Sequence, residues 1–342
     1  MLPHTGEWRR SVRRTLLIWL SACLCACALQ PPPIATDLPP ARLLDQVPFV
    51  PQEDHACGPA SLAMVLQHYG VQETQARLKP LLLLPEREGT LQIELTAAAR
   101  REGFAALKGP DDLNGLMRDV AAGYPVIVLQ NLRFDRWPLW HYAVVIGFDQ
   151  KDKVVLLRSG TNALIEETYP TFLTTWNRSG YWSLLVVPPG QIPPSTTPEI
   201  SSDAAEALLQ SHQPAAGLAT YAASVHQWPD SITLWNGFGN AAYAQQRWTI
   251  SVQAFAQSLL RSPSQARLWN NFAYALQQAG CSSSADQALH CAQQLAPQDA
   301  LLMDSRRELD EIDHPATDVC NIGIKNCAID ASTTTSPTLK FQ

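Results

Sequence analysis

The stretch Val47-Pro48-Phe49-Val50-Pro51-Gln52-Glu53-Asp54-His55-Ala56-Cys57-Gly58-Pro59-Ala60 decides how the chain is read. After it, Leu62, Val65, Leu66 and Tyr69 stand at the i, i+3, i+4 and i+7 spacing of one buried helix face, and Gly70 supplies a stop. Pro59 suits a first helical turn, where its missing N–H costs nothing. The pattern therefore predicts a buried helix with Cys57 at its N-terminus. Free N–H groups and the positive end of the helix dipole gather there and favour a thiolate over a thiol. A cysteine so placed is a candidate nucleophile, with a buried packing cysteine as the competing reading.

A nucleophilic thiol needs a base. His68 is eleven residues along the same helix, roughly 16 Å away, and cannot reach. His212, His226 and His290 fall in a different, helical part of the chain, and His55 is too near in sequence to be placed. His141 remains, at the head of the apolar run His141-Tyr142-Ala143-Val144-Val145-Ile146-Gly147-Phe148, a strand expected beside Pro125-Val126-Ile127-Val128-Leu129. Asp149 cannot orient this imidazole, because eight residues of strand span about 26 Å. A hairpin with Lys153–Arg158 that pairs Asp149 with Asp152 sets His141 opposite Gly160. The candidates for the third position are then Asn162, whose amide oxygen can hold an imidazole, and after it Ser159. Trp137 and Trp140 could line a substrate groove but, beside a strand start, read first as packing residues, as do Phe104 and Trp176.

Gln52 before Cys57-Gly58-Pro59, the helix ending Tyr69-Gly70, and the strand from His141-Tyr142 to Gly147-Phe148-Asp149 resemble the double-glycine-leader (bacteriocin-processing) peptidase family and its relatives, which are papain-like cysteine peptidases. The resemblance covers about 145 of the 342 residues. It implies an α+β papain-like domain over residues 41–189, with a nucleophile at Cys57, a general base at His141, and an oxyanion-hole donor at Gln52 beside the Cys57 N–H. This chain departs from the pattern in having Ser159-Gly160 where the family usually has Asp-Pro, and in having Gln five rather than six residues before the Cys. No zinc spacing appears among the eight cysteines, and neither a metal nor a cofactor is expected.

Around this block the chain divides. Arg9, Arg10, Arg13 and Arg14 precede the apolar run Leu16–Leu20, too short to span a bilayer, which reads as an export signal over residues 1–22. Leu20-Ser21-Ala22-Cys23 resembles the lipobox of bacterial lipoproteins, with Cys27 as a second candidate. The expectation is a lipid on Cys23, a Pro-rich tether over 23–40, and an outer-membrane protein facing the periplasm. The net charge of −6, more acidic still once the signal is removed, argues against nucleic acid as a partner. A second Pro-rich break occupies residues 190–198. Beyond it Trp235, Phe238, Gly239, Phe255 and Pro263 recur 34 residues later as Trp269, Phe272, Ala273, Leu289 and Pro297, with a fainter copy at Ala205, Tyr221 and Pro229. This resembles the tetratricopeptide repeat and predicts an all-α solenoid over 199–300 that binds a protein partner. Residues 301–342 read as a loosely ordered tail, with Cys281–Cys291 and Cys320–Cys327 as plausible disulfides in an exported protein.

Three functions fit this organisation. The first is a lipid-anchored peptidase acting on peptide or protein substrates. The second is a papain-like amidase or acyl transferase acting on cell-wall peptides. The third is a binding scaffold whose site lost its activity with its acid. No transporter segment follows the block, so leader cleavage coupled to export is not expected.

Overall fold

The computed structural model describes residues 34–83, 89–310, 320 and 322–333. The residues read as an export signal, Cys23, Cys27 and the first part of the expected tether lie outside the described residues. The end of that tether is docked rather than free. Ile34 and Leu38 pack against the core, and the Ala35 N–H donates to Asn114 Oδ1 at 2.9 Å.

Residues 41–189 form an α+β unit. In chain order it contains β1 (Ala41–Leu43), α1 (Cys57–His68), α2 (Gln75–Leu82), α3 (Gln92–Arg101), β2 (Ala105–Lys108), α4 (Leu113–Ala121), β3 (Val126–Asn131), β4 (Trp140–Asp149), β5 (Val154–Ser159), β6 (Asn162–Thr168), α5 (Tyr169–Asn177) and β7 (Ser183–Val187). The strands make one antiparallel sheet in the order β2-β7-β3-β4-β5-β6, with β1 added to the far half of β4. The near-continuous apolar sequences of β3 and β4 follow from burial: all of β3 and residues 142–148 of β4 are inside. Nine consecutive residues of α1, Gly58 to Leu66, are also buried, and this helix packs against β4. A Cβ at Gly58 would come within 2.7 Å of the Thr90 side chain, so a side chain there would push that loop away from Cys57.

Helices α6 (Pro198–Gln210), α7 (Pro214–Gln227), α8 (Ile232–Ala244), α9 (Trp248–Arg261), α10 (Ala266–Gln278), α11 (Ser282–Leu295) and α12 (Ala300–Asp310) follow, each packed on the next. The 34-residue recurrence has a structural counterpart. Trp235 and Trp269 are both buried, and their indole N–H groups donate to the carbonyls of Pro229 and Pro263, at 2.6 and 2.7 Å. The Pro-rich link between the two parts is held down: Ser195 donates to the buried carboxylate of Asp119 through its backbone N–H (2.9 Å) and its hydroxyl (2.5 Å).

The end of the chain corrects two expectations. Residues 300–310 are helical, and 322–333 carry a small hairpin of β8 (Ile324–Lys325) and β9 (Ala328–Ile329) that packs back on the helices. The disulfides are Cys281–Cys320 and Cys291–Cys327. The local pairing of Cys281 with Cys291 fails on helix geometry. Ten residues along α11 separate the two by roughly 15 Å, where a disulfide needs Cα atoms within about 7 Å. No helix among the described residues is long and apolar enough to cross a membrane.

Candidate active site

Cys57 opens α1 and is half-buried, and it is the one free cysteine among the described residues. His141 stands one residue into β4, so the packing of α1 on β4 brings the two segments together. Both side chains line a cleft of about 830 Å³, together with Gln52. The backbone N–H of Tyr142, the residue after His141, is directed at the Cys57 sulfur and stabilises its anion, as do the N–H groups of Gly58 and Cys57 itself. Burial is the larger effect and pushes the Cys57 thiol up. The same desolvation lowers the His141 imidazole. Burial thus opposes what the helix N-terminus and these N–H groups do for the sulfur anion.

The side chain beside the His141 ring is that of Ser159 rather than Asn162. His141 Nε2 lies 2.7 Å from Ser159 Oγ, whereas Asn162 is exposed and pairs with Ser159 across the β5–β6 turn. Register explains the difference. Asp149 pairs with Val154 rather than Asp152, and a bulge between Val145 and Gly147 then brings Val144 opposite Arg158. A β-bulge changes which residues face each other without leaving a distinctive sequence mark.

Gln52 is fixed from the same side. Its N–H donates to the Gly160 carbonyl at 3.0 Å, which ties the loop before Cys57 to the end of β5. Gly160 has φ +59°, a conformation glycine adopts freely and proline cannot. The Asp-Pro that the resemblance implies would not fit this backbone. Ser159-Gly160 is thus a different local solution, and the tie to Gln52 runs through it.

The sequence reading missed other parts of the wall. Thr90 and Leu91 face the cleft from the loop before α3, and Arg178 and Ser179 from the end of α5. Trp140 also lines it and is exposed, as is Trp137 nearby, so neither is the packing residue expected. On β3, the buried Gln130 pairs with His141 in register and donates through Nε2 to Glu167 (2.9 Å) and Thr175 (2.8 Å). Burial raises the Glu167 carboxyl.

Among the described residues no group of three or more His, Cys, Asp or Glu side chains could hold a metal ion. The arrangement offers a thiol, an imidazole hydrogen-bonded to a hydroxyl, and N–H donors beside the sulfur, which together suit acyl transfer.

Residues 44–183 match the Peptidase_C39 like family. They form a cysteine-peptidase-type domain, and the helical region lies outside the match. The crystal structure of a C39-like peptidase from Bacillus anthracis is similar over 43% of this chain and 97% of that one, at 19% identity and a TM-score of 0.37. The peptidase domain of Streptococcus ComA, a bifunctional ABC transporter of a quorum-sensing pathway, is similar over 42% of this chain and 98% of its own, at 26% identity and a TM-score of 0.32. No curated protein matches.

Proposed function

We propose that the chain is a thiol peptidase of the cell envelope, hydrolysing peptide bonds through Cys57 and His141. The observation that carries this reading is the His141–Ser159 hydrogen bond. It occupies Nε2 and leaves Nδ1 to take the thiol proton. With Ser159 Oγ accepting from Nε2–H in this mechanism, the imidazole is held in the tautomer whose Nδ1 can act as a base. Cys57 loses its proton to His141 as its sulfur attacks the carbonyl carbon. The oxyanion is held by the Cys57 N–H and the Gln52 side chain, and the leaving amine takes the proton back from His141. Water then hydrolyses the thioester by the same proton path in reverse. Ser159 orients the imidazolium but gives it no charge partner, so a modest rate is expected.

The helices from 199 to 300 form, in this reading, a tetratricopeptide-type solenoid that presents a protein partner or substrate. Cys23 carries a lipid that holds the protein at the outer membrane, facing the periplasm. Metabolic labelling with a tagged fatty acid tests the anchor: label on the parent chain and none on Cys23→Ser supports it, while equal label in both removes Cys23 from the account.

The reaction is tested by incubating the protein with a denatured protein pool and sequencing new termini, with and without an added amine acceptor. New carboxyl termini that require both Cys57 and His141 support hydrolysis. Amine adducts replacing free carboxylates would make the enzyme an acyl transferase instead. No Cys57-dependent product of either kind would leave a binding scaffold.

A further inference from the structure

Twelve large apolar side chains are exposed among the described residues, and five of them fall within the nine residues from 132 to 140. They are Leu132, Phe134, Trp137, Leu139 and Trp140, on the hairpin that joins β3 to β4. An apolar surface this concentrated marks an interaction site rather than chance exposure. The hairpin is also stiff. Asn131 Oδ1 accepts from the N–H groups of Arg133 (3.1 Å) and Leu139 (3.0 Å), and Leu132 donates to the Leu139 carbonyl (2.9 Å). Arg178 ties the carbonyls of Asn131 and Arg133 together. With the backbone held in this way, Phe134 and Trp137 remain 71% and 66% exposed and cannot collapse onto the protein.

The charge on the hairpin is opposite to that of the chain. Arg133 and Arg136 outnumber Asp135, while the whole sequence carries −6. The Arg136 guanidinium lies over the Trp137 ring, 5.1 Å from its centre. Paired tryptophan and phenylalanine at a tip, flanked by arginines, match the chemistry of an anionic bilayer surface, where aromatic rings settle at headgroup level and cations meet phosphate. A peptide in the cleft explains less. Leu139 and Trp140 line that cleft, but Leu132, Phe134 and Trp137 do not and would stay in water.

We infer that the hairpin 132–140 is a membrane-docking element, which inserts Phe134 and Trp137 into an anionic lipid surface and places the mouth of the Cys57 cleft at headgroup level. The inference stands apart from the lipid on Cys23 and from the peptidase reading.

Amide hydrogen exchange of the full chain resolves this hairpin from the rest of the protein, with and without vesicles of phosphatidylethanolamine and phosphatidylglycerol at roughly 3:1. The expected result is exchange about tenfold slower across 132–139 with these vesicles, and no change with neutral phosphatidylcholine. Phe134→Ser/Trp137→Ser, at exposed positions outside the site, should abolish that protection, since two aromatic side chains no longer leave water. Unchanged exchange at 132–139 while the chain sediments with vesicles would overturn the inference. So would protection by an added protein or peptide but not by lipid, which would make the hairpin a protein-binding surface.

Discussion

The two parts of this chain are built on opposite principles. In residues 41–189 the candidate chemistry depends on single side chains far apart in sequence, Gln52, Cys57, His141 and Ser159, which one sheet register and one helix start assemble. In residues 198–310 the structure rests on neighbours in sequence, each helix packing on the next, and the same tryptophan-to-proline bond occurs twice at a 34-residue step. The first part should therefore lose function at a point and keep its stability. The second should lose stability in sections and leave the chemistry alone.

The largest effect expected is at the sulfur. Cys57→Ser should reduce peptide turnover by about 10⁴-fold, because a serine hydroxyl is a far weaker nucleophile beside this imidazole. Thermal unfolding should move by no more than a degree or two, whereas a substitution on any outward face of the helices should leave turnover unchanged.

The disulfides sharpen the contrast from the other side. Reducing Cys281–Cys320 and Cys291–Cys327 frees loops of 39 and 36 residues. Each bridge should cost about 2–4 kcal/mol of stability. Limited proteolysis should then cut the C-terminal helices first while alkylation of Cys57 keeps its rate. Faster alkylation on reduction would show that the two parts are coupled.

Asp119 joins the parts and should make their junction sensitive to pH. Burial raises its carboxyl from 3.8 to about 6. Folded protein thus holds this proton where unfolded chain releases it. The contribution to stability is fully present below about pH 3.8 and is lost as the pH rises through about 6. The stability of the parent relative to Asp119→Asn should fall by about 2 kcal/mol between pH 4 and 7, as read from urea unfolding at each pH. A flat difference would mean that Ser195 already stabilises the charged form.

The smallest predicted change concerns the missing acid. Ser159→Asp should raise kcat/KM by about tenfold by placing a carboxylate on the imidazolium. Gly160→Pro should lower it, since proline cannot adopt a positive φ and the Gln52 tie would break. Equal rates for the parent and Ser159→Asp would mean that orientation alone is what the third position supplies.

The helix start at Cys57 and the strand start at His141 were legible because caps, prolines and apolar runs are local signals. Ser159 stood only second to Asn162, since the bulge beside Gly147 moves the ladder, and the more obvious hydrogen-bonding residue, Asn162, ends outside on the turn. The 34-residue period was visible as repeated residues, but the disulfides were not, because the tail returns across the helices and sequence proximity pointed to local pairs. Trp137 and Trp140 misled for a related reason. Aromatics beside a strand are ordinarily core, and nothing in their own spacing says that the hairpin carries them outward.

The most direct test of the proposed chemistry is intact mass spectrometry of the protein treated with a peptidyl fluoromethyl ketone, a reagent that alkylates a thiol after binding as a substrate does. The account predicts a single adduct on Cys57 in the parent, its loss in His141→Ala, and faster formation in Ser159→Asp. An adduct that forms equally without His141, or none at all on Cys57 in the folded parent, would contradict it.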